Sequence, residues 1–198
     1  MNETIIIILA AGASSRMNEP KQLLPFNGKT LLTHTIDEAV KSGLQVIVVL
    51  GANERIITEH LQNDFTSLVF NENWREGISA SIKAGLNKAL EKNSYIENCI
   101  LCVCDQPYIS ANLFGSLCDK KKTSGKKIVA SWYAATLGTP VLFDKKYFDA
   151  LLNLKGDNGA KKLLSLYHDD IASIPFEKGE LDIDTKLDYE KFVEQTQR

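Results

Sequence analysis

Histidine is scarce in this chain, cysteine nearly so, and neither sign of charge predominates. The three histidines, His34, His60 and His168, stand apart from one another and from every motif. That argues against a histidine-built zinc site and against histidine catalysis. Of four cysteines, Cys99, Cys102 and Cys104 crowd one apolar stretch and Cys118 is alone. Residues three apart on a strand point to opposite faces, so Cys99 and Cys102 are expected to be small buried hydrophobes rather than a redox pair. The formal net charge is −2, which gives nucleic acid or an anionic membrane no footing as a partner. No apolar run approaches the roughly 20 residues of a spanning helix. The stretch 5–11 is apolar, but Glu3 precedes it and no Lys or Arg does, so it does not read as a secretory signal. With unpaired thiols, this makes the cytoplasm the expected location. Two familiar nucleotide loops are missing as well. Gly12 stands alone where a dinucleotide fold needs Gly-x-Gly-x-x-Gly, and Gly28-Lys29-Thr30 imitates a Walker A ending without the earlier glycine, since position 23 is Leu. No repeat, linker or low-complexity segment interrupts the chain.

What is present is an alternation of strand-like and helix-like segments. Apolar, β-branched runs predict strands at 4–9, 46–50, 67–70, 99–103, 128–131, 140–143 and 171–174. Helical spacing predicts helices at 32–40, stopped by Gly43, and at 55–61, 78–92, 110–121, 147–152, 160–167 and 187–195. The 198 residues, 44% hydrophobic and 24% charged, suit a single globular domain spanning 1–198. The alternation predicts an α/β fold, a three-layer α/β/α sandwich around a mostly parallel twisted sheet. Such sheets take ligands beyond the carboxyl ends of their strands. The lysines at 120–122 and 126–127 read as a solvated helix end and loop with no function.

The most informative segment is the first strand together with its C-terminal loop. Four isoleucines run into Leu9-Ala10-Ala11-Gly12-Ala13-Ser14-Ser15-Arg16-Met17-Asn18-Glu19-Pro20-Lys21-Gln22-Leu23-Leu24-Pro25. Small residues let a backbone approach a ligand closely, and the two cations Arg16 and Lys21 stand on the same loop. A buried strand emptying into such a loop suits a polyphosphate, whose oxygens meet N–H groups and fixed charges together. This segment resembles the signature of the MobA-like nucleotidyltransferases, Leu-Ala-(Ala/Gly)-Gly-x-(Ser/Gly)-x-Arg-Met-Gly followed by Lys. The Pro-Lys-Gln-Leu-Leu-Pro continuation is most similar to the molybdenum cofactor cytidylyltransferase branch. Asn18 replaces the usual Gly, and Asn tolerates a left-handed backbone better than other substitutes.

Further motifs stand in the family's order. Val103-Cys104-Asp105-Gln106-Pro107 ends an apolar strand in an acid. By itself Asp-x-Pro reads as a turn opener; the resemblance to Gly-Asp-Gln-Pro implies a Mg²⁺ ligand, with Cys104 where Gly is usual. Asp182-Ile183-Asp184-Thr185 reads equally as a helix N-cap, whereas the resemblance implies that Asp184 joins Asp105 on the metal. Both roles are compatible if Thr185 caps. In Asn73-Trp74-Arg75-Glu76-Gly77-Ile78-Ser79-Ala80-Ser81, residues Gly77, Ser79 and Ser81 read either as a capped helix start or, by resemblance, as nucleoside contacts. Gly138-Thr139-Pro140 and Gly156-Asp157-Asn158-Gly159-Ala160 resemble motifs lining an acceptor pocket, which implicates Gly138, Pro140, Gly156, Asp157 and Gly159. Thr139 stands where that branch often has His.

Together the resemblance implies a Rossmann-like nucleotidyltransferase fold that moves CMP from CTP to the phosphate of molybdopterin cofactor and releases pyrophosphate. Leu9, Ala10, Ala11 and Gly12 would take the nucleotide with Arg16 and Lys21. Arg16 would neutralise the outer phosphates, Lys21 the charge building at the α-phosphate, and Mg²⁺ on Asp105 and Asp184 would orient them. The implied partners are CTP, a phosphorylated pterin and, transiently, a molybdoenzyme or its chaperone. The alternatives are GTP as donor, a sugar or alcohol phosphate as acceptor, and a non-catalytic cofactor carrier.

Overall fold

The first strand divides its side chains between two cores. In β1 (Thr4–Ala10), Ile5, Ile7 and Leu9 face one side of the sheet, and Ile6, Ile8 and Ala10 face the other; all six are buried. Only a strand covered on both faces can use an unbroken apolar run in this way. The computed structural model describes residues 3–17, 19–61 and 66–196; Asn18, and with it the expected left-handed turn, lies outside them.

The other strands are β2 (Pro25–Phe26), β3 (Lys29–Thr30), β4 (Gln45–Leu50), β5 (Thr66–Phe70), β6 (Asn98–Val103), β7 (Ile128–Tyr133), β8 (Thr136–Asp144) and β9 (Ile171–Pro175). Seven of them form one sheet in the order β5-β4-β1-β6-β8-β7-β9. It is mostly parallel, and β8 alone runs against both neighbours. The helices are α1 (Leu31–Lys41), α2 (Glu54–Glu59), α3 (Ile78–Lys92), α4 (Ala111–Ser124), α5 (Phe148–Leu152), α6 (Ala160–Leu166) and α7 (Lys186–Thr196). One layer packs Leu32, Ile36, Ile57, Phe114 and Leu117 of α1, α2 and α4 against the Ile6 face. The opposite layer packs Ile82, Leu86, Leu151 and Leu163 of α3, α5 and α6 against the Ile7 face. Gly85 lets α3 lie close, because a Cβ there would stand 2.4 Å from Ile7 Cγ2. Cys99 and Cys102 fall in opposite cores, as the strand period requires.

Three features depart from the sequence reading. The strands expected at 128–131 and 140–143 run on to Tyr133 and back to Thr136, so that only Ala134 and Ala135, at φ 46° and 57°, are left to make a direct hairpin turn. Lys121 is not simply solvated. It bonds Asp144 at 2.7 Å with 16% of its side chain exposed, and Lys127 reaches the same carboxylate at 3.4 Å. The third is a small cluster outside the main layers, in which Leu24, Phe26 and Leu31 hold Ile183 and Phe192 against the β2–β3 hairpin. Among the described residues no helix is long and apolar enough to cross a membrane.

Candidate active site

Strands β1 and β6 are paired in parallel with Leu9 opposite Val103, so their carboxyl ends open side by side. The loop after β1 and the loop carrying Asp105 therefore border one cleft. One lobe, of about 370 Å³, is lined by Leu9, Ala10, Ala11, Gly12, Lys21, Trp74, Arg75, Gly77, Ile78, Ser81, Asp105 and Asp157. A Cβ added at Gly12 would meet nothing within 4 Å, so the loop backbone lies open to a ligand. Gly77 is required for another reason. At φ 97° it sits where side chains are rarely tolerated, and a Cβ would stand 2.5 Å from Asp157 Oδ1. The Arg75 guanidinium lies 4.3 Å over the Trp74 ring at this lobe's wall.

Lys21 occupies the centre. A single 3₁₀ turn, Lys21–Leu23, aims its ammonium between two carboxylates, 2.5 Å from Asp105 Oδ2 and 2.9 Å from Asp184 Oδ1. Burial alone would lower its pKa, but the Asp105 charge and the hydrogen bonds to both acids outweigh burial and raise it. Arg16, 68% exposed, donates to Asp184 Oδ2 at 3.0 Å. Chiefly through the Lys21 hydrogen bond, and then through both cations' charge, Asp184 is held below the usual carboxylate range.

The C-terminal acids reach the cleft because Ile183 N–H donates to Asp105 O at 3.0 Å while the Ile183 side chain is buried. Alternation then puts Asp182 and Asp184 together. Thr185 caps α7 reciprocally with Asp188: Thr185 N–H donates to Asp188 Oδ2 at 2.8 Å, and Asp188 N–H donates to Thr185 Oγ1 at 3.2 Å. Capping and site placement therefore coexist. Burial, then the charges of Asp105 and Asp184, push Asp182 up to about 6.

A divalent metal fits this arrangement. Asp105 Oδ1 is buried and has no hydrogen-bond partner, and the Asp105–Asp184 pair already gathers two cations. Among the described residues no group of three or more His, Cys, Asp or Glu surrounds one metal position. Two carboxylates are what Mg²⁺ ordinarily asks of a protein when substrate phosphates supply the rest.

A second lobe, of about 330 Å³, continues past Asp105 and is lined by Ile78, Tyr133, Gly138, Thr139, Asp157, Gly159, Lys161, Leu164, Asp182 and Asp184. Gln106 braces it from beneath. Its Nε2 donates to Gly179 O at 2.8 Å and to Tyr133 Oη at 3.2 Å, and its Oε1 accepts from Thr139 Oγ1 at 3.3 Å.

Three expected residues lie elsewhere. Pro140 is buried beside the strand irregularity at Ala130–Ser131, and its carbonyl accepts from Ser131 Oγ at 2.8 Å. Ser79 N–H is taken by Gly156 O at 3.2 Å, and both residues border a separate depression with Asn71 and Lys83. A helix start promises free N–H groups, but a neighbouring loop carbonyl has claimed this one. Residues that the sequence reading left unassigned are Gln22, Tyr133, Lys161 and Asp182. Asp182 carried a signal in its alternation with Asp184, and Gln22 in its place within the Pro20–Pro25 run; Tyr133 and Lys161 carried none.

Comparison with known proteins agrees with this architecture. A family profile described as the MobA-like NTP transferase domain matches residues 6–171. Nicotine blue oxidoreductase of Paenarthrobacter nicotinovorans is 29% identical over 168 residues, covering 80% of this chain and 79% of that protein. Molybdenum cofactor cytidylyltransferase of Escherichia coli is 26% identical over 186 residues, covering 92% of each. The crystal structure of Rv0371c from Mycobacterium tuberculosis superposes with a TM-score of 0.83 at 28% identity, covering 96% of this chain and 97% of that one. A manganese complex of the same protein superposes at 0.81 with 27% identity, covering 96% of this chain and 98% of that one.

Proposed function

The chain belongs to the MobA-like NTP transferase family, a family of nucleotidyltransferases, and from that premise we propose that it transfers CMP from CTP to the phosphate of a pterin cofactor, releasing pyrophosphate. The observation that carries the proposal is the junction of two lobes at Lys21, Asp105 and Asp184. One lobe suits a nucleotide, the other an acceptor, and the charged trio stands between them. The cytidylyl and pterin assignments draw on the Pro20–Pro25 run and on the cytidylyltransferase relative.

The acceptor's phosphate oxygen is already anionic, so no general base is needed. It attacks the α-phosphorus in line; the bond from that phosphorus to the α–β bridging oxygen breaks, and the electron pair leaves with pyrophosphate. The chain's part is to position both substrates and to place positive charge. Lys21 gives up a carboxylate and turns to the α-phosphate oxygens, where charge builds in the transition state. Arg16, exposed and paired with Asp184 in the free protein, meets the outer phosphates. Asp105, through its unpartnered Oδ1, and Asp184 would hold Mg²⁺, which when bound supplies charge to orient and neutralise the phosphates. Tyr133, Thr139 and Lys161 line the acceptor side.

The test is a turnover screen of the four NTPs with Mg²⁺ and, as separate acceptors, the pterin cofactor, sugar phosphates and alcohol phosphates, read by pyrophosphate release. CTP should turn over fastest. Preference for GTP, or turnover only with a sugar or alcohol phosphate, would keep transfer chemistry and overturn the finer assignment. Binding without any release would point to a carrier.

A further inference from the structure

Gln22 is a neutral amide inside the most charged part of the molecule, with 1% of its surface exposed. Every polar atom of its side chain is engaged. Nε2 donates to Ala10 O at 2.9 Å and to Gly12 O at 3.0 Å, and Oε1 accepts from Ser14 Oγ at 3.3 Å. The Ser14 oxygen in turn accepts the Lys21 N–H at 2.9 Å. Ser14 holds φ at 53°, a conformation a serine leaves unless something fixes it.

Peptide geometry carries the consequence. In a trans peptide the C=O of one residue and the N–H of the next point in opposite directions. Drawing the carbonyls of Ala10 and Gly12 towards Gln22 therefore fixes the N–H directions of Ala11 and Ala13, on the loop that borders the first lobe. Ala52 N–H holds the carbonyl between them, that of Ala11, at 3.1 Å, and so sets the direction of Gly12 N–H. Alternate carbonyls of the loop are thus pinned from two sides. The same circuit ends on the backbone of Lys21, so loop shape and Lys21 position are set together.

We infer that Gln22 is a positioning residue: it holds the loop 10–14 in its ligand-ready shape and ties that shape to Lys21, so that nucleotide affinity depends on a side chain with no free group to offer a nucleotide. Both its hydrogens are spent on carbonyls, which is why its role is support rather than contact. The side chain must be an amide. A carboxylate of the same shape would face two carbonyl oxygens with nothing to donate, and once protonated it could donate to one of them. The inference rests on the nucleotidyl-transfer reading of the cleft.

The experiment is calorimetry of CTP with Mg²⁺ on the full chain, comparing wild type, Gln22→Glu and Ser14→Ala, with melting of each apo protein. Gln22→Glu should weaken binding at least tenfold at pH 8, and the deficit relative to wild type should shrink as pH falls towards 6. Ser14→Ala, which cuts the link to Lys21 but leaves both carbonyls bonded, should weaken binding threefold to tenfold with an unchanged melting temperature. The inference is overturned if both variants bind within twofold of wild type. It is equally overturned if lost affinity tracks lost melting temperature and shows no pH dependence, the pattern of general damage. A wild type that binds no nucleotide overturns the function and this inference together, whereas wild-type binding with unaffected variants overturns this inference alone.

Discussion

Lys21 neutralises two carboxylates in the free protein and, in the proposed reaction, the charge that develops on the α-phosphate. Interactions that strengthen in the transition state act on turnover, and uniform ones act on binding. Lys21→Ala should therefore lower kcat by about 10²- to 10³-fold while changing the nucleotide KM by less than about fivefold. Arg16→Ala should do the reverse, since in the proposed reaction its exposed guanidinium meets phosphates that stay charged throughout. Steady-state kinetics decide; an intact kcat with a raised KM in Lys21→Ala would refute its role. A second residue-scale prediction concerns stability. Although burial opposes ionisation, bonds from Tyr147 Oη at 2.6 Å, from Lys146 Nζ at 3.0 Å and from Lys127 N–H hold Asp170 down at about 2. A lowered carboxylate stabilises the fold above its unfolded value, near 4, and that contribution is lost as pH falls towards 2. Asp170→Asn should lower the melting temperature at pH 7, and the gap from wild type should close between about pH 4 and pH 2. A gap constant across that range would mean that the carboxylate charge contributes nothing. Arg16 and Lys21 stood out in the sequence as two cations on the loop after a buried strand, whereas Asp105 and Asp184 stood out only through the family resemblance, since alone they read as a turn opener and a helix cap. The role of Gln22 was illegible because it lies in bonds to carbonyls that neighbour it only after folding.

At the scale of elements, legibility tracked the strength of the local signal. β1 was plain because four β-branched residues in a row suit a strand buried on both faces. The β7–β8 hairpin was not, because its turn is built from Ala134 and Ala135 where Asn and Gly are expected. Two consecutive residues at positive φ match the twist of the flanking strands, but each alanine there costs about 1 kcal/mol through Cβ crowding. The double change Ala134→Asn, Ala135→Gly should therefore raise unfolding free energy by about 1 kcal/mol in urea, with an unchanged slope. Destabilisation instead would show that this turn is held by its alanines. Gly77, at φ 97° against Asp157, gives the opposite expectation. Gly77→Ala should displace the 156–157 loop or α3, costing stability and nucleotide affinity together in melting and calorimetry. The sequence signalled a helix start at Gly77, but not the loop from a distant segment that makes glycine obligatory.

Across the whole molecule, the site exists because the C-terminal segment returns to β6, where Ile183 N–H meets the Asp105 carbonyl and brings Asp184 to Lys21. The pairing of Asp105 and Asp184 was implied by the family resemblance alone. Their sharing of one lysine was not legible, nor was the displacement of Pro140, Ser79 and Gly156 from the cleft, since these depend on packing between remote elements. A ligand that binds only the folded state stabilises it by mass action. CTP and Mg²⁺ together should thus raise the melting temperature well beyond the sum of each alone. Asp105→Asn and Asp184→Asn should lose that synergy while remaining folded, and retention of it in Asp184→Asn would reduce the C-terminal motif to a helix cap. The most direct measurement traces the transferred group itself: CTP, and in a parallel sample GTP, labelled at the α-phosphate is incubated with Mg²⁺, pterin cofactor and the protein, and the label is located. It should appear bonded to the acceptor, one CMP for each pyrophosphate released. Label recovered only as free CMP, or transferred from GTP and not from CTP, would contradict the account.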